Sequence, residues 1–83
     1  MKVDLDKKSL ARAMKEITSV NVARMRYEHG WTQENLAEFS GLSRVTIGNI
    51  ESRSTLVSLS SLRLLAYAFE CSLDDLCPRA FLD

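Results

Sequence analysis

Residues 32–51 read Thr-Gln-Glu-Asn-Leu-Ala-Glu-Phe-Ser-Gly-Leu-Ser-Arg-Val-Thr-Ile-Gly-Asn-Ile-Glu. Thr32 is placed to cap a helix whose first turn is Gln33, Glu34 and Asn35 and which runs to about Phe39 or Ser40. Glu34 favours the positive end of that helix dipole. Gly41 falls where a tight turn needs positive φ. Ser43 is the next cap, opening a helix from Arg44 to about Glu51 with Ile47 and Ile50 on one face. Ala37 is small because the second helix must cross close over it. Leu36, Leu42, Ile47 and Ile50 fill the wedge between the two, and the opposite face of 44–51 is left free.

Outward from this pair the chain stays helical. On the N-terminal side, Leu10, Ala13, Met14 and Ile17 fall at i, i+3, i+4 and i+7, an amphipathic helix over about 6–17 with Lys and Arg outside. Thr18, Ser19, Val20 and Asn21 are cap formers and β-branched residues, which predicts a break there. A second helix over about 20–29 then ends at Gly30, suited to a left-handed C′ position. Met25, Tyr27 and Trp31 read as core or staple residues, and His29 as a surface or helix-end residue. On the C-terminal side, 52–57 is a connection. Ser58 caps a helix over 59–69 with Leu59, Leu62, Leu65, Ala66 and Phe69 inside. Ser72 opens a short helix that stops near Pro78. The expected division is an N-terminal helical extension at 1–19, a domain at 20–77 and a tail at 78–83.

Composition bounds what this chain can do. Eighty-three residues make one small domain, and 46% hydrophobic with 27% charged residues argue against disorder. No apolar run approaches the ~18 residues of a membrane span and no signal-peptide core appears, which predicts a cytoplasmic protein without membrane contact. Three glycines and one proline disfavour a many-turned β architecture. Cys71, Cys77 and His29 are too few and wrongly spaced for a dedicated metal site, and two cysteines make no disulfide scaffold. With a single His and no glycine-rich phosphate loop, neither an enzyme nor a cofactor is expected. Eleven Lys and Arg against eleven Asp and Glu give zero net charge, unlike a typical nucleic-acid binder. The placement says more. Residues 64–83 carry one base and four acids, so the first 63 residues hold a net +3 and the C-terminal end −3.

The pair of helices around Gly41 is a helix-turn-helix unit. With Thr-Gln, Leu-Ala, Gly-Leu-Ser, Thr-Ile and Ile-Glu all in place, the chain resembles the Cro/repressor-type (Xre-type) helix-turn-helix family. The resemblance runs from about Val20 to Cys77, and Leu-Arg-Leu-Leu-Ala-Tyr-Ala-Phe-Glu-Cys-Ser-Leu-Asp-Asp-Leu at 62–76 is similar to that family's closing helices. It implies an all-α, five-helix lambda-repressor-like DNA-binding domain, here with an additional N-terminal helix. Arg44, Val45 and Asn49 would read bases, since Arg bridges guanine O6/N7, Val packs a thymine methyl and Asn reads adenine N6/N7. Gln33 would bond a phosphate at a helix N-terminus. Ser43 and Thr46 would make phosphate or groove contacts, and Ser52, Arg53 and Ser54 would touch the flanking backbone. Arg26 and Glu51 match a structural ion pair of the family.

The chain departs from the family at Arg53 and Glu70, where glycine is common, at Val57 in place of proline, and at Ser40 in a usually apolar site. Gly48 leaves the reading face sparse. The helix at 6–17 lies outside the shared core, as a packing helix, a dimer arm or a partner-binding segment.

One reading helix discriminates by only about 1–3 kcal/mol per base contact, thin against a genome of competing sites. A homodimer on a palindromic operator is therefore expected, with half-sites about 34 Å apart. Leu73, Leu76, Phe81 and Leu82 are the candidate self-complementary patch. The expected function is a sequence-specific transcriptional regulator, such as a phage repressor or a restriction-modification controller, on double-stranded DNA, with RNA polymerase or a toxin as further partner classes. The alternative is an antitoxin or protein-binding module that uses DNA binding for autoregulation.

Overall fold

A computed structural model describes residues 6–78 as five α-helices: α1 Lys7–Glu28, α2 Gln33–Ser40, α3 Arg44–Glu51, α4 Leu59–Phe69 and α5 Leu73–Leu76. Each helix after the first starts where a hydroxyl residue was expected to cap it. Thr32, Ser43, Ser58 and Ser72 accept the backbone N–H of Asn35, Thr46, Ser61 and Asp75. Two caps are reciprocal: the Asn35 and Asp75 side chains accept the Thr32 and Ser72 backbone N–H in return. Asp6 caps α1 by accepting from the Ser9 N–H at 2.7 Å, and that bond holds its carboxyl below the ordinary range. Gly30 and Gly41 adopt φ of 71° and 83°, the left-handed geometry for which their positions were read.

The expected break at residues 18–21 is absent, because α1 runs unbroken for 22 residues. The additional N-terminal helix is therefore the first half of α1, and the boundary between extension and domain falls inside one helix. The residues read as breakers are instead its polar anchors. Ser19 Oγ turns back to the Glu16 carbonyl at 2.8 Å, the local bond that lets a serine sit inside a helix. Thr18 is buried and hydrogen-bonds the Cys77 thiol, and Asn21 Nδ2 donates to the Leu76 carbonyl at 2.9 Å. These contacts fasten α1 to α5, and tertiary packing overrides the propensity that predicted a break.

The core is built from Val22 and Met25 of α1, Leu36 of α2, Ile47 and Ile50 of α3, Leu62, Leu65, Ala66 and Phe69 of α4, and Leu76 with Cys77. Trp31 closes one side of it, stacked on Phe69 at 5.7 Å and tilted against Phe39 at 4.8 Å. The His29 ring lies 4.4 Å from Trp31, with its Nδ1 2.8 Å from the Met25 carbonyl, so this exposed helix-end residue rests on the edge of the aromatic cluster. Tyr27 is exposed, with the Arg26 guanidinium over its ring at 4.5 Å, and is not a core residue. Ser40 is buried where an apolar residue is usual, its Oγ accepting the Leu42 N–H at 3.2 Å within the turn. Glu70 takes the left-handed cap of α4 with φ of 56°, as glycine would.

Among the described residues, Leu76 does not belong to the C-terminal patch expected of it. Leu76 is fully buried inside its own protomer, because α5 packs it between α1 and α4. It is a core residue. Leu73 is half-buried against the core, and Phe81 and Leu82 lie outside the described residues. Cys71 and Cys77 are free thiols, both pushed above the ordinary range by burial. Among the described residues no three His, Cys, Asp or Glu side chains gather to hold a metal, and no helix is long and apolar enough to cross a membrane.

Candidate nucleic-acid interface

The pose of α3 is set by what its inner face buries. Ile47 and Ile50 are 0% and 2% exposed, packed against Leu36 and the α4 leucines. At 3.6 residues per turn, positions 45, 48 and 49 lie opposite them, and position 44 flanks that face at the first turn. Arg44, Val45 and Asn49 stand there, exposed, and none of their side chains makes a hydrogen bond or ion pair among the described residues. Val45 is 66% exposed.

The C-terminal end of α3 is locked by a bidentate ion pair. Arg26 Nε and Nη2 donate to Glu51 Oε2 and Oε1 at 2.7 and 2.9 Å, and Nη1 donates to the Trp31 carbonyl at 2.8 Å. Each guanidinium nitrogen therefore has an acceptor, as a charge this buried requires. The bond to Glu51 raises the Arg26 pKa further above its ordinary value. This pair joins the end of α1 to the end of α3, the structural role that the resemblance implied.

Gln33 sits at the first turn of α2, half-buried, with Nε2 3.4 Å from Glu51 Oε1. Its Oε1 lies 3.8 Å from where a Cβ on Gly48 would stand. Gly48 therefore faces Gln33, and the two share the seam between the α2 N-terminus and α3. Ser43 and Thr46 are committed to each other: Ser43 Oγ accepts the Thr46 N–H at 3.0 Å and donates to Thr46 Oγ1 at 2.8 Å. The Thr46 hydroxyl proton is left to donate outward, whereas Ser43 is chiefly a cap.

The segment after α3 takes a sharp path. Ser52 caps the helix, its hydroxyl lying 3.2 Å from the Asn49 carbonyl and 2.6 Å from Ser54 Oγ. Arg53 then adopts φ of 65°, the left-handed geometry that explains why glycine is common here. Its Nε donates to Ser19 Oγ at 3.2 Å, which turns the side chain towards α1. Sequence reasoning missed this link. The only signal was the position of Ser19 one residue after Thr18, on the stripe continued by Val22 and Met25.

A family model described as helix-turn-helix matches residues 22–76. The chain is 42% identical over 66 residues to the control protein C.SmaI of Serratia marcescens, covering 80% of this chain and 79% of that one. It is 40% identical over 52 residues to the competence pilus inhibition repressor of Acinetobacter baylyi, covering 63% of this chain and 47% of that protein. The crystal structure of the restriction-modification controller C.AhdI from Aeromonas hydrophila superposes with a TM-score of 0.69 at 32% identity, over 76% of this chain and 92% of that one. The hypothetical transcription factor NHTF from Neisseria has a TM-score of 0.75 at 24% identity over 99% of this chain and 93% of its own, a likeness of fold alone. The exposed outer face of α3, the matching family model and relatives that are regulators lead to one conclusion: this chain belongs to the Xre-type helix-turn-helix family and is a DNA-binding transcription regulator.

Proposed function

We propose that the protein binds a palindromic operator as a homodimer, with α3 in the major groove, and that it controls a restriction-modification system. The observation that carries the DNA reading is the contrast across α3, whose inner isoleucines are buried while Arg44, Val45 and Asn49 are exposed and uncommitted. Arg44 and Asn49 supply the bidentate donors and acceptors that tell bases apart, and Val45 an apolar contact. Gln33, Thr46, Ser52, Arg53 and Ser54 seat the backbone on either side. The controller assignment rests on similarity to C.SmaI and C.AhdI. For the dimer, the groove beside α5 is lined by Arg63, Ala66, Tyr67, Cys71 and Leu73, with Tyr67 83% exposed. This groove takes the place of the buried Leu76 as the centre of a self-complementary patch.

Selection of bound sequences from random duplexes tests the reading. The expected product is an inverted repeat with half-sites about one helical turn apart, and sedimentation giving two chains per duplex. Arg44→Ala relaxes preference at one operator position by about 1–3 kcal/mol, while Gln33→Ala weakens specific and random DNA alike. No enriched sequence, or equal losses on both kinds of DNA for both variants, would refute it.

A further inference from the structure

The first half of α1 carries Lys8, Arg12 and Lys15 at i, i+4 and i+7, one face of the helix. With Ala11 between them, these three line an open cleft whose remaining wall is Arg53. Four cations thus gather around one depression on a chain with zero net charge. None of the four forms an ion pair among the described residues. The acids on the same turns, Asp6 and Glu16, form no ion pair with them among the described residues, and Asp6 accepts the Ser9 N–H as the cap of α1. Arg53 uses its Nε on Ser19 and leaves both Nη groups without a partner among the described residues.

Like charges held together at a solvated cleft repel one another, and a polyanion relieves that repulsion. The location selects the polyanion. Arg53 is the second residue after α3, between the Ser52 and Ser54 hydroxyls, so one wall of the cleft belongs to the segment proposed above to touch the DNA backbone. We infer that Lys8, Arg12, Lys15 and Arg53 form a second, sequence-independent phosphate clamp, with the long α1 as its rigid arm. Lys8 and Lys15 are seven residues apart, about 10 Å at 1.5 Å per residue. That length sets the three side chains against successive phosphates of one strand. Charges without base-reading geometry suit backbone contact. This inference rests on the DNA-binding reading above and adds to it a surface outside the helix-turn-helix unit.

The test is a salt titration of binding to a mixed-sequence duplex, for the full chain and for the triple variant Lys8→Gln, Arg12→Gln, Lys15→Gln. Loss of three phosphate contacts lowers the slope of log affinity against log salt by up to about 2.7, at about 0.9 per phosphate. Selected and mixed duplexes lose affinity by the same factor, because no base contact is touched. The charge-conserving triple Lys8→Arg, Arg12→Lys, Lys15→Arg restores the slope, which excludes a loss through misfolding. Arg53→Gly, at a position already in glycine's preferred geometry, keeps the fold and lowers the slope by about 0.9 on its own. If the unaltered protein binds duplex DNA but the triple variant keeps its slope within about half a unit, the clamp is wrong and the DNA-binding reading stands. If the unaltered protein binds no duplex at any salt, both fall together.

Discussion

Residues 18–28 and 7–17 belong to one unbroken helix and live in different surroundings. The C-terminal half of α1 contributes Val22, Met25, Thr18, Ser19 and Arg26 to the interior and reaches α5 through Asn21. In the N-terminal half, Met14 packs on the core, no residue is fully buried, and Lys8 and Arg12 are exposed. An amphipathic pattern runs through both halves, so periodicity alone does not separate scaffold from arm. What separates them is partner supply: the second half carries the fully buried residues and the bonds to Glu51 and Leu76, while the first half carries the basic cleft that Arg53 closes.

If this contrast is right, substitutions along α1 cost less stability towards its N-terminus. Arg26→Ala has the largest effect, because it leaves the Glu51 carboxylate buried without its counter-charge, at about 3–5 kcal/mol in a urea denaturation. A cost under about 1 kcal/mol would show that the pair does not lock α3. Asn21→Ala comes next, losing the bond to the Leu76 carbonyl for about 1 kcal/mol. Leu10→Ala is the smallest, within about 0.5 kcal/mol, as expected of a position that does not pack on the core. A Leu10 variant as costly as the Asn21 variant would make the first half of α1 part of the scaffold and blur the comparison. DNA affinity follows the opposite order on exposed residues, since the charges of the first half, not the second, face the proposed clamp.

Local propensity predicts a break at Thr18, Ser19 and Asn21 because, with water as the only alternative, hydroxyl and amide side chains compete with helical backbone bonds. The fold gives those groups partners in Glu16, Cys77 and Leu76, all but the first remote in sequence, and the competition disappears. Leu76 was read as surface because a short C-terminal apolar run has no periodicity to show which side is covered. Arg53 and Glu70 were correctly seen as standing where glycine is common, and both take the left-handed geometry that explains it. The Arg26–Glu51 pair was legible by resemblance, but its bidentate geometry and its third bond, to the Trp31 carbonyl, were not.

By itself the sequence determined the helices from α2 onward, their caps, the turn at Gly41 and the residues on the free face of α3. All of these are local: a hydroxyl reaching three residues ahead, a glycine at positive φ, apolar residues one turn apart. Only the tertiary structure decided that α1 is continuous, that Leu76 is interior and that Arg53 closes a basic cleft with Lys8, Arg12 and Lys15. Those outcomes depend on groups as many as 55 residues apart in sequence, as Asn21 and Leu76 are, and no local pattern encodes which remote surface a side chain will meet.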